Sequence, residues 1–202
     1  MKDIIKFSLN VLKMYGASVL IALLFSNIVA SENTAFRIFG TVATLLVLVA
    51  LGFFEGGARG EADAQNARIL ENREKERGIA PTELELQKNF YPWKGFLCGL
   101  LGVSPVVLVS LFMLVAPLLF SAESVVFAWL TVVTRVLLLP YLGLFPMEGA
   151  VTWMYLPVSL IFPLIIGVSY LMGPRRFSKM IKQMHENEEK RRRRKKKRPM
   201  PK

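Results

Sequence analysis

Four charged residues lie at or within strongly apolar stretches of this sequence: Glu55, Glu123, Arg135 and Glu148. Charge in or near hydrocarbon is expensive, and it marks a functional site by default. Arg135 sits near the centre of an apolar run, with Glu123 and Glu148 bracketing that run. Either carboxylate could pair with the guanidinium and lower its desolvation cost, as a structural ion pair at the interface. Glu55, beside Gly56 and Gly57, reads as a boundary residue. A pathway for an anionic solute is the chemistry that an intramembrane Arg135 would support.

Other chemistries find no residues to carry them. Cys98 is the only cysteine and lies inside an apolar run, so an intramolecular disulfide and a cysteine-rich zinc site are both excluded. His185 is the only histidine and falls in a charged tail, where it reads as a solvated residue. Gly56-Gly57-Ala58-Arg59-Gly60 lacks the Gly-Lys-Ser/Thr ending of a phosphate loop. Asp3 and Asp63 are the only aspartates, neither in the middle of an apolar run, so no intramembrane aspartyl pair is expected. No catalytic residue, cofactor or metal is assigned.

The densest chemical feature is Lys190, Arg191, Arg192, Arg193, Arg194, Lys195, Lys196, Lys197 and Arg198, nine basic residues in succession. Residues 174–202 carry 14 Lys and Arg against three Glu, whereas the other 173 residues balance 12 against 12; the whole formal charge of +11 therefore sits in the tail. Such a run repels itself and is expected to be disordered alone. Its partner must be anionic: lipid headgroups, at about 1 kcal/mol per basic residue near the surface; ribosomal or other RNA phosphates, with a strong salt dependence; or an acidic protein. No aromatic residue interleaves with the run, so base stacking has no support.

The elements that position these groups follow from hydropathy. The chain has 202 residues, 53% of them hydrophobic, with mean hydropathy +0.41. Four stretches reach the ~20 apolar residues that cross a bilayer. These are Met14–Ala30 (extending back to Phe7), Ala35–Phe54, Gly95–Phe120 with Pro105 and Pro117 as sites of tilt or kink, and Val151–Met172, ended by Gly173-Pro174. A cleaved signal at the amino terminus is the weaker alternative, because the apolar core from Met14 is long and Lys13 stands far from the start. Backbone groups in hydrocarbon must pair within the segment, so the expected fold class is an all-α, polytopic helical membrane protein. Gly95, Gly99 and Gly102 open the third span with a small-residue face suited to close helix packing, within the chain or between copies.

Ser124–Phe145 is a fifth apolar run, with Ser124, Ala128, Thr131 and Arg135 on one helical face. Basic residues accumulate on the cytoplasmic side. The first 13 residues hold three, residues 55–94 hold seven and the tail holds 14, together 24 of the 26. An even number of crossings must then separate the central segment from the tail. The fifth run is accordingly a re-entrant or interfacial helix entering from the outer face, with a fifth crossing as the alternative.

The expected layout is a helical hairpin over 1–54, a cytoplasmic charged helical loop over 55–94, two spans with the intervening helix (124–145) over 95–172, and an amphipathic, polybasic cytoplasmic tail over 173–202. Within the loop, Glu61–Arg77 reads as a helix with Glu71 and Lys75 four apart, Gly78 at C′ and Pro81 beyond. Thr82-Glu83-Leu84-Glu85 fits a capping box, and Tyr91, Pro92, Trp93 and Lys94 an interfacial anchor. Phe177, Met180, Ile181 and Met184 form an apolar stripe flanked by Arg175, Arg176, Lys179 and Lys182, the pattern of a helix lying in the interface.

The functional expectation is a non-enzymatic accessory or scaffold subunit of the cytoplasmic membrane, both termini inside. Its loop and tail would contact anionic lipid, the ribosome or RNA, or a protein partner. A small transporter or channel subunit using Arg135 is the alternative. A reporter fused after Phe145 is expected to be active only on the outer side of the membrane; activity confined to the cytosol would overturn the even helix count.

Overall fold

The computed structural model describes residues 2–78, 80–86, 88–121, 123–144 and 152–196; the side chains of Leu84, His185, Glu188 and 190–196 lie outside that description. Among the described residues the protein is all-helical. The helices are α1 (Lys2–Val29), α2 (Thr34–Arg77), α3 (Glu83–Leu86), α4 (Lys94–Gly102), α5 (Ser104–Leu119), α6 (Val125–Leu137), a 3-10 segment (Leu139–Leu144), α7 (Thr152–Ser159) and α8 (Ile161–Lys196). Three helical stretches are long and apolar enough to cross a membrane, or four if the bent pair α4–α5 is one span; α6 is shorter.

Local chemistry explains where the helices begin, break and end. The Asn33 side chain accepts from the Ala35 N–H at 3.0 Å to start α2. Gly78, at φ +63°, closes α2 with its N–H on the Glu74 carbonyl. The Ser124 side chain accepts from Phe127 N–H at 3.2 Å at the start of α6. Between α4 and α5 the chain bends by 68°. Pro105 has no N–H for the Leu101 carbonyl, and the Ser104 hydroxyl donates to that carbonyl instead at 2.8 Å. Pro117, by contrast, lies inside α5, which runs on past it to Leu119.

The bundle packs through glycines. Along α2, Gly52 faces Phe162 and Ile165, Gly56 faces Ile166 and Ser169, and Gly60 faces Tyr170 and Gly173 of α8. Numbers rise together, so α2 and α8 run parallel. Helix α1 opposes both: Asp3 reaches Arg59 near one end, while Gly40 packs on Ile28 and Val29 near the other. Gly102 of α4 would place a Cβ 2.7 Å from the Ser8 carbonyl, and the Cys98 thiol lies 3.9 Å from the Ile4 carbonyl, so α4 runs alongside α1. The start of α1, the start of α4 and the long extensions of α2 and α8 therefore share one end of the bundle.

Helix α6 and the 3-10 segment dock back onto this core. The Tyr15 hydroxyl donates to the Leu137 carbonyl at 2.8 Å; Leu138 and Tyr141 are fully buried; and Gly143 packs against Thr41. Tyr15 also meets the Phe162 ring, at a centroid separation of 5.3 Å. The segment thus reaches the depth of Tyr15 and returns toward the Thr34 end of α2.

Three expectations about local structure are corrected. The charged stretch Glu61–Arg77 is helical as expected, but it continues α2 from Thr34 instead of standing apart, because Gly52, Gly56 and Gly60, which could have interrupted the helix, pack on α8. Gly173-Pro174 does not end the last helix: α8 continues past it to Lys196. Pro174 withholds an N–H from the Tyr170 carbonyl, and Gly60 packs against that carbonyl, where a Cβ would overlap it, while Gly173 packs on Gly60 backbone. The basic residues 190–196 are accordingly helical, and Phe177 and Ile181 of the apolar stripe line a groove with Ala64 and Ala67 of α2, while Met180 and Met184 are exposed. Lys197 and Arg198 lie outside the described residues.

Gly60→Ala should therefore cost about 1–3 kcal/mol, since its methyl would overlap the Tyr170 carbonyl and Gly173. Gly16→Ala, where nothing lies within 4 Å, should gain about 0.5–1 kcal/mol from helix propensity. Thermal unfolding in detergent compares the two.

Candidate functional site

The most concentrated polar chemistry is a buried ion network at the end of the bundle where the α2 and α8 extensions begin. It gathers Asp3 from α1, Arg59 and Asp63 from α2, Lys94 from α4 and Tyr170 from α8. The Lys94 ammonium lies 2.6 Å from Asp63 Oδ2 and 2.8 Å from Asp3 Oδ2. It also donates to the Asn89 carbonyl at 3.4 Å. Arg59 pairs with Asp3, and its Nε stands 3.2 Å from Asp63 Oδ1. The Tyr170 hydroxyl donates to Asp63 Oδ2 at 2.8 Å. Asp63 is 0% and Lys94 1% exposed, so these two charges are fully removed from solvent.

Each member is placed by its backbone. Arg59 and Asp63 are four apart on α2 and share a face. Lys94 is held by the turn preceding α4, whose N–H bonds to the Tyr91 carbonyl at 3.0 Å. The Tyr170 ring stacks on Phe90 at 5.0 Å and tilts against Phe7 at 6.1 Å. Gly95 makes room for Tyr170, since a Cβ there would come within 2.5 Å of Tyr170 Cβ. Two cations against two carboxylates leave the network neutral, which is the condition for burying it at tolerable cost.

The residues singled out from sequence are dispersed. Glu55 is half-buried on α2 and Arg135 half-buried in the last turn of α6, where a cation complements the helix dipole. Glu123 is exposed, and it forms no ion pair with Arg135. Glu148 lies outside the described residues. Gly95 and Gly99 face α8, and Gly102 faces α1.

The network escaped the sequence reading for two reasons. Lys94 follows Tyr91 and Trp93 and looks like an interfacial anchor, and Asp63 sits in a charged stretch that looks solvent-facing. The available signal was the spacing of Arg59 and Asp63 directly after the Gly56-Gly57 pair.

Beyond the network, α2 and α3 are tied together. Arg73 bonds Glu85 at 2.6 Å, and the Thr82 N–H donates to the same carboxylate at 3.0 Å. The Thr82 N–H, then Arg73, hold the Glu85 carboxyl down to about 2. Because its folded value is depressed, this clasp is intact at neutral pH and is lost only as pH falls through about 2. Glu71 and Lys75 pair at 2.5 Å as the spacing predicts. Among the described residues no group of His, Cys, Asp or Glu could hold a metal ion. Comparison with family models, with curated proteins and with solved structures returns no match.

Lys94→Ala leaves the buried Asp63 and the partly exposed Asp3 to share one cation, Arg59, and should destabilise the protein by about 3–5 kcal/mol. Tyr170→Phe, which removes one hydrogen bond to a charged group, should cost about 1.5–3 kcal/mol. Melting in detergent should rank them in that order; equal, small effects would mean that the network is hydrated.

Proposed function

We propose that this chain is a non-enzymatic accessory or scaffold subunit of the cytoplasmic membrane that holds a rigid, basic two-helix arm in the cytoplasm. Four crossings form the base: α1, α2, the bent α4–α5 pair, and α7 with the first half of α8. The α6 and 3-10 segment serves as a re-entrant hairpin from the outer side, and both termini are cytoplasmic. The observation that carries the reading is the continuity of α2 and α8 beyond their apolar parts. Gly60 packs on Tyr170 and Gly173, and Asp63 binds Tyr170 just beyond.

From Gly60 to Arg77 and from Gly173 to Lys196 the two helices extend by roughly 26 and 35 Å at 1.5 Å per residue. A flexible tail would locate charge only loosely. A helix clamped at its base by buried ion pairs presents that charge at a defined height and direction, which suits assembly more than catalysis. The cluster of Arg175, Arg176, Lys179 and Lys182 near the base accords with anionic headgroups, and Arg176 lies over the Phe53 ring at 4.1 Å. The distal basic run then reaches an anionic cytoplasmic partner, ribosomal RNA or acidic protein.

Deletion of residues 190–202 should remove co-purifying partners captured at low salt, and high salt should mimic the deletion in the intact chain. A partner set unchanged by either treatment would overturn the reading.

A further inference from the structure

Between the two arms, just beyond the ion network, runs an open groove of about 640 Å³. Ala64 and Ala67 of α2, Phe177 and Ile181 of α8 and the Phe90 ring give it an apolar lining. Arg68 stands on one lip and Lys182 on the other, while Glu71, also at the groove, is engaged by Lys75 at 2.5 Å. Small side chains on one helix facing large ones on a parallel neighbour leave a trough that fits a third helix. Its lining residues span 64–72 and 174–182, about 12 Å along each axis.

We propose that this groove seats an acidic amphipathic helix from a partner protein, a proposal that rests on the arm lying in the cytoplasm. Charge selects the partner. Residues 175–196 of α8 hold eleven Lys and Arg against three Glu, so a second copy of this arm would be repelled. An apolar stripe at i, i+3, i+4 and i+7 would fill the trough while flanking carboxylates meet Arg68 and Lys182. An anionic lipid headgroup is the competing occupant, because on α8 the lining begins at Pro174, two residues past the apolar run that ends at Met172; on α2 the groove lies farther from the apolar run. The apolar run of α2 ends at Phe54, ten residues before Ala64, or about 15 Å along the axis. The headgroup layer on each side is only about 5–8 Å thick.

The test uses the full chain in phosphatidylcholine nanodiscs, labelled with an environment-sensitive fluorophore at Ser178→Cys, since Cys98 is buried. The probe is a synthetic helical Leu/Glu peptide of about five turns, with a Leu/Lys peptide as control. The Leu/Glu peptide should bind and the Leu/Lys peptide should not. Ala67→Trp, which fills the trough, and the surface double variant Arg68→Glu with Lys182→Glu should each weaken binding roughly tenfold or more. Deletion of 190–202 should change it by less than about threefold.

Equal binding of both peptides overturns the proposal, as does indifference to Ala67→Trp and to the double variant. So does a signal that follows phosphatidylglycerol content instead of peptide. If tail deletion alone abolishes binding, the acidic probe is held by the tail, and the groove proposal falls while the scaffold reading stands. If the groove variants alone abolish binding while tail deletion leaves native partners unchanged, the groove stands and the tail reading falls.

Discussion

A lysine ammonium held between two aspartates, away from water, is the interaction on which the architecture turns. Lys94 contacts Asp3 and Asp63 within 2.8 Å, and those partners come from α1 and α2, with Tyr170 of α8 completing the shell. Such a cluster contributes little net stability, because desolvation of the charges offsets their attraction. What it supplies is registry. Sliding α1, α2 or α4 by a turn, about 5.4 Å, would leave an unpaired charge in a dry site, and sliding α8 would take the Tyr170 hydroxyl away from Asp63. Apolar packing alone would permit many such slips, since leucine against leucine is nearly indifferent to its neighbour's identity in hydrocarbon.

Glycine contacts make the same choice by shape. Gly56 and Gly60 bring α2 against the α8 backbone so closely that a methyl group at either would overlap it. The Ser169 hydroxyl, 3.2 Å from the Gly52 carbonyl, fastens the two helices across this seam. Pro174, a residue that usually ends a helix, lies at this seam, where Gly60 packs against the Tyr170 carbonyl that the proline cannot serve. Ion network and glycine seam are adjacent, so charge pairing and close backbone packing fix the same end of the bundle. An arm anchored in this way can carry charge far from the bundle without bending at its root.

The broken elements obey a different rule. At the α4–α5 bend, the Ser104 hydroxyl takes over the carbonyl that Pro105 cannot serve. At the α6 end, the Tyr15 hydroxyl takes the Leu137 carbonyl. Both are side-chain substitutes for lost helical hydrogen bonds, which hydrocarbon would otherwise penalise by several kcal/mol per group.

Helicity, the apolar stretches and the caps at Gly78 and Thr82 were legible from residue order, because each depends on hydropathy or on contacts within a few residues. The Glu71–Lys75 pair was legible for the same reason. The ion network was not: Lys94 lies 31 residues from Asp63, which lies 107 from Tyr170, and nothing local distinguishes a buried lysine from an anchoring one. The fate of Gly173-Pro174 was equally hidden, since whether a helix continues past such a pair depends on what packs against it, here Gly60 of α2. The sequence by itself determined which segments are helical and where charge accumulates, for those follow from short-range chemistry and composition. Only the tertiary structure decided which charges meet and which glycines touch, because burial of a charge is a property of what packs around it.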